Sequence, residues 1–125
     1  MLIIFVAKNM KIAIPTNDKE SVFPRTGQAH GYMIYHVEDN HIKGKFYKVL
    51  PAGLRQKHEN QDESKEHSHR DLCQFLEGCD LLLIKNIGKH LQHDFDENRV
   101  FFEKTKETLV EGAIKKYLEE KSQDS

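Results

Sequence analysis

Asp80-Leu81-Leu82-Leu83-Ile84-Lys85-Asn86-Ile87-Gly88-Lys89-His90 is the stretch that decides the fold. Four consecutive apolar residues after Asp80 suit a strand covered on both faces, as in a sheet between helices. The run ends in a tight turn with a glycine that opens a helix over about 88–97, with Leu91 and Phe95 at i and i+4. A buried strand followed at once by a helix implies parallel strands joined by crossovers. Downstream, Arg99-Val100-Phe101-Phe102 reads as the next strand and Thr105 to Lys121 as the last helix. Leu109, Ala113, Ile114, Tyr117 and Leu118 form the apolar face of that helix, and Thr105 or Thr108 is the expected cap. Upstream, Leu72, Phe75 and Leu76 fall at i, i+3, i+4 on a helix that begins near 67–70 and is ended by Gly78.

The first half reads as strands. Met10 to Pro15 is a β-rich run stopped by Pro15-Thr16-Asn17-Asp18. Residues 16–31 form a long loop with Pro24, Gly27 and Gly31, and loops of that length in compact domains are often functional. Residues 32–37 and 42–50 are two strands around the polar turn Glu38-Asp39-Asn40-His41, hence an antiparallel hairpin. Lys43, Lys45 and Lys48 suit an edge strand. The order β, β-hairpin, α, β, α, β, α gives one α/β domain over 10–121, with a mixed sheet and about three helices. Residues 1–9 are read as an N-terminal extension and 122–125 as a frayed tail. The apolar stretch Met1 to Ala7 is too short to span a bilayer and lacks a basic leader region.

Charge and cysteine content narrow the function. With 19 basic and 20 acidic side chains there is no broad basic face for nucleic acid. Cys73 and Cys79, six apart across a helix end, read as thiols in a reducing cytoplasm rather than a disulfide. The first strand carries no carboxylate, so a two-metal nuclease site is absent from it. With no nucleophile–base pair or glycine-rich cofactor fingerprint either, the chain reads as a binding module and not an enzyme.

Two places attract a ligand. The first is His58 to Arg70, which has no apolar residue and holds three of the eight histidines. His67 and His69 can converge on one metal ion if the backbone is extended, with His58 as a third ligand; otherwise the stretch is a solvated loop entering a helix. Cys73, four residues after His69, could join them or be a core thiol. The second is Gly88-Lys89-His90, where a helix start can receive an anion, or serve as a plain β-to-α turn.

These motifs together resemble the dinitrogenase iron–molybdenum cofactor biosynthesis family. Met10-Lys11-Ile12-Ala13-Ile14-Pro15-Thr16 is similar to its opening strand. Thr26-Gly27-Gln28-Ala29 with Tyr32 to Tyr35 resembles its Phe-Gly-Arg-Ala loop and following strand. Cys79 to Gly88 resembles its strand ending in an Ile-Gly turn, and 99–120 its closing strand and helix. The resemblance implies a three-layer ribonuclease H-like fold, a five-stranded mixed sheet in the order 3-2-1-4-5 with strand 2 antiparallel. It implies carriage of an iron–sulfur or iron–molybdenum-type cluster, with cofactor-assembly proteins as partners. Gly27, Gln28 and His30 of the first loop and Gly88 and Lys89 of the helix start are the residues expected at the cofactor, His30 being otherwise a plain turn histidine. Thr26 and Gln28 stand where the family loop has phenylalanine and arginine. That departure motivates the alternative of an interaction or regulatory module that has kept the fold and lost the cofactor.

Overall fold

The computed structural model describes residues 9–51 and 72–123. The expected sheet is present: five strands in the order β3-β2-β1-β4-β5. They are β1 (Asn9–Pro15), β2 (Gly31–Glu38), β3 (His41–Val49), β4 (Leu81–Ile84) and β5 (Phe102–Lys104). β2 runs antiparallel to both its neighbours, while β1, β4 and β5 are mutually parallel. Residues 72–75 are helical, α1 is Lys89–Glu97 and α2 is Val110–Gln123. Among the described residues no helix is long and apolar enough to cross a membrane.

Strand periodicity of two divides the core. Ile12, Ile14, Met33, Tyr35, Val37, Leu81 and Leu83 face α2, meeting Val110, Ile114 and Leu118. Ala13, Tyr32, Ile34, Leu82 and Ile84 face the other way, onto Leu72, Leu76, Leu91 and Phe95. All four residues of β4 are buried, which is why that strand carries no polar alternation. Asp80 ties its start to β1, accepting the Lys11 N–H at 2.8 Å and donating its own N–H to the Lys11 carbonyl at 2.8 Å.

The hairpin turns on Asp39 and Asn40, at φ 52° and 67°. Two left-handed residues in a two-residue loop match the right-handed strand twist, and Asp and Asn tolerate that region best after glycine. The β2–β3 register shifts between His36 and Val37, which oppose Gly44 and Ile42, so Lys43 is the extra residue of a bulge.

Two boundaries differ from expectation. The last strand is Phe102–Lys104 and not 99–102, because Arg99 adopts φ 59° and Val100 donates its N–H back to Phe95 at 2.8 Å, closing the helix end. The last helix starts at Val110 and not Thr105. Residues 105–110 are consumed by other pairings: Thr105 N–H on Ile84 (2.7 Å), Val22 N–H on Thr108 (2.9 Å) and Val110 N–H on Glu20 (2.8 Å). Thr105 therefore does not cap; its hydroxyl accepts the Glu107 N–H at 3.1 Å in a local turn. Leu109, expected on the apolar face, is 56% exposed because it precedes the helix and pairs with Ser21.

The 16–31 loop is held at both ends. Asp18 accepts N–H groups from Ser21 (2.7 Å) and Glu20 (2.9 Å), and the Thr16 hydroxyl at 3.2 Å. These bonds favour the carboxylate and lower its pKa from 3.8 to about 2. A depressed folded pKa stabilises above the ordinary value and is lost as pH falls through the folded one. The Glu20 and Ser21 amides are thus expected to lose hydrogen-exchange protection between pH 3.8 and about 2. Asp18→Ala should show the low protection factors of the acid form already at neutral pH; equal protection in the two proteins would refute the assignment.

Candidate functional site

The C-terminal end of β4 and the end of the first long loop lie side by side. Arg25 bridges Asn86 in parallel fashion, and a one-turn 3-10 helix follows at Thr26–Gln28. Thr26 makes the junction. Its hydroxyl donates to the Asn86 carbonyl at 2.7 Å, and its own carbonyl accepts the Tyr32 hydroxyl at 3.0 Å. Tyr32 is fully buried, and burial raises its pKa, so it is a permanent donor.

Between these two turns is a cleft of about 330 Å³. Gly27 and Gln28 form one wall, Gly88 and Lys89 the other, so four of the residues expected at a cofactor are brought together. Arg25 and His90 line it as well, and among the described residues no carboxylate does. His30 is not among the lining residues; its N–H is held by the Asn17 side chain at 2.7 Å and its carbonyl accepts Leu50 N–H at 2.8 Å. His58, His67 and His69 lie outside the described residues. Among the described residues no three of His, Cys, Asp and Glu gather where they could hold a metal ion.

The cleft floor is the N-terminus of α1. Gly88 is its N-cap at φ −72° and ψ 157°, with no side-chain capping bond, and the first turn holds no acidic residue. The first N–H groups of a helix lack intrahelical partners, and the aligned peptide dipoles make that end positive. Lys89 adds a cationic side chain where the dipole disfavours it, and His90 adds an imidazole beside it. An anion in the cleft would relieve this repulsion. A second groove of about 290 Å³, between β5 and α2, differs in kind. There Glu103 and Glu120 stand among Lys104, Lys106 and Lys116, and Glu107 pairs with Lys116 at 3.7 Å.

The two cysteines are free and take no part in the cleft. Cys73 is 7% exposed in the apolar cluster under β4, its thiol 3.9 Å from the Asp94 carbonyl. Burial pushes that thiol up to about 11, so it stays protonated at neutral pH.

The family model described as dinitrogenase iron–molybdenum cofactor matches residues 8–120. The chain belongs to this family. Solved structures share the fold. PH0822 superposes with a TM-score of 0.71 at 19% identity, over 89% of this chain and 90% of that one. A Methanocaldococcus jannaschii protein gives 0.62 at 17% identity, over 90% and 91%. The apo form of the orange protein from Desulfovibrio gigas gives 0.60 at 15%, over 95% and 92%. Comparison with curated proteins finds no match.

Within the family loop, Gln28 has no charge, and Arg25 brings a guanidinium to the same cleft from three residues upstream. Sequence reading missed Arg25, and it named His90 only within the Gly88-Lys89-His90 helix start and Thr26 only within the loop that carries the family resemblance. No local pattern could place Arg25 there or give Thr26 its partner, since both placements depend on pairing with Asn86, some sixty positions away.

Proposed function

We propose that the chain is a non-catalytic cytoplasmic carrier for a compact anionic metal–sulfur cargo of iron–sulfur or iron–molybdenum type. It holds that cargo between residues 25–28 and the start of α1. One observation carries the reading: Arg25, Lys89, His90 and an uncapped helix N-terminus converge on a cleft that no carboxylate of the described residues lines. The donor set fits a cluster gripped by its outer atoms. Arg25, Lys89 and backbone N–H groups present only donors, which suit sulfide or oxide surfaces carrying negative charge. Among the described residues His90 is the only lining residue of metal-ligand type, so from these residues a bare cation is poorly served and direct ligation is limited to one imidazole. Family membership supports the metal–sulfur class over other anions.

The test uses protein without a histidine tag, purified without oxygen. Iron plus sulfide, or tetrathiomolybdate, is added and uptake is read by absorption. Wild type is expected to take up a chromophore. Arg25→Glu and Lys89→Glu are each expected to weaken uptake by about tenfold or more, since a hydrogen bond to a charged group is worth roughly 1.5–3 kcal/mol. Their urea midpoints should hardly move, both side chains being exposed. A wild type that takes up neither probe sinks the reading. Uptake indifferent to both reversals but lost in His67→Ala/His69→Ala would move the site away from the cleft.

The neutral Gln28 favours one alternative, an interaction or regulatory module of the same fold that carries no cargo. It predicts no chromophore and a stable protein partner, with cofactor-assembly proteins the first class to try.

A further inference from the structure

We propose that Thr26 is the positioning residue of the cleft: its hydroxyl clasps the 25–28 loop to the end of β4 and so sets the separation of the two walls. For its ligand this rests on the carrier reading; for its geometry it does not. Thr26 is 1% exposed, a polar side chain enclosed where a loop meets a sheet. Its hydroxyl donates to the Asn86 carbonyl at 2.7 Å, and its N–H points at the same oxygen at 3.4 Å. Its carbonyl is held from the other side by the Tyr32 hydroxyl at 3.0 Å. Residue 26 is thus fixed by β2 and by the end of β4 at once.

Its neighbours Arg25 and Gly27 belong to one wall, and Ile87, Gly88 and Lys89, just past Asn86, belong to the other. Among the described residues no other side-chain hydrogen bond joins the walls. A valine of the same shape would fill the volume without burying a hydroxyl, and burying a hydroxyl is unfavourable unless it is bonded. The hydroxyl is explained by the bond it makes. Because that bond joins positions 60 apart, it acts on the distance between two segments and not on the conformation of either. The cargo would meet cations and N–H groups at a spacing that Thr26 maintains.

Two variants separate positioning from plain stability. Thr26→Val keeps the shape and loses the hydroxyl; Thr26→Ser keeps the hydroxyl and loses the methyl. Both should lower the urea midpoint. Thr26→Val is expected to bind tetrathiomolybdate about five- to tenfold more weakly, the worth of one hydrogen bond, while Thr26→Ser stays within about twofold of wild type. Binding that is unchanged in both, or that falls equally in both, overturns the proposal. In the ligand-free protein, the Gly27 and Gly88 amide resonances are expected to shift in Thr26→Val and to return in Thr26→Ser. Resonances that do not move overturn the clasp whatever the probe does. Resonances that move as expected, in a wild type that takes up no tetrathiomolybdate, uphold the clasp and count against the carrier reading alone.

Discussion

Gly31→Ala is expected to destabilise the protein by roughly 2–3 kcal/mol, the upper part of the range for overpacking a filled interior. A Cβ at this position would lie 2.5 Å from Cζ and from the hydroxyl oxygen of Tyr47, and 2.9 Å from the Lys48 carbonyl oxygen. The ring could rotate away only by giving up its bond to the Thr16 carbonyl, at 2.8 Å. The Lys48 carbonyl is backbone of β3 and cannot yield without disturbing the β2–β3 ladder. Gly31 also accepts the Thr16 N–H at 3.0 Å, so the shift would be felt where β1 turns into the loop that forms the cleft. Urea unfolding checks this: the midpoint should fall with the slope unchanged. Tyr47→Leu in the same chain should recover part of the loss by removing the ring, though not the clash with Lys48. A midpoint equal to wild type would show that β3 is looser than the register implies.

Phe95→Ala should have the larger effect, about 3–5 kcal/mol, the cost of deleting a buried aromatic ring and leaving its cavity. Phe95 is fully buried. Its ring lies 6.4 Å from that of Phe102 at 55°, and its carbonyl accepts the Val100 N–H at 2.8 Å. With Leu91 it is one of two buried anchors of the nine-residue helix α1. An isolated helix of that length is not stable in water, so these anchors also keep the N-terminus of α1 at the cleft. Phe95→Leu, which refills most of the space, should cost under about 1.5 kcal/mol. If the carrier reading holds, Phe95→Ala should weaken cargo uptake through loss of the folded helix, and Phe95→Leu should not. Equal midpoints for the two variants would mean the ring is not the anchor.

Much of this architecture is written in consecutive residues. The run Leu81–Ile84 announces a strand covered on both sides because four neighbours in a row are apolar. Asp39-Asn40 announces a two-residue hairpin because those side chains tolerate the left-handed region. Gly78, at φ 92°, ends the helical residues before β4 for the same conformational reason. The strand order followed from family resemblance, which no single motif here could have supplied. The errors fell at element boundaries, one set by a local helix ending and one by a distant partner. Val100 and Phe101 read as strand, yet residues 98–100 complete the end of α1. Leu109 fits the apolar spacing of α2, yet pairing with Ser21 takes it out of the helix.

The sequence by itself determined the strands, the helices, their alternation and the glycines that end them. All of these depend on residues within a few positions of one another, through side-chain periodicity and backbone steric limits. Four of the cleft's lining residues, Gly27, Gln28, Gly88 and Lys89, were expected from the sequence and the family resemblance; tertiary structure decided the rest. It brought Arg25 beside Lys89 and left His30 outside. It also turned Thr26, noted in the sequence only as a departure from the family loop, into the link between two walls. The physical reason is that a 3-10 turn between loops has no periodicity to read. Its position is set by hydrogen bonds to Asn86 and Tyr32, whose carbonyl and hydroxyl come within reach only after the sheet has formed.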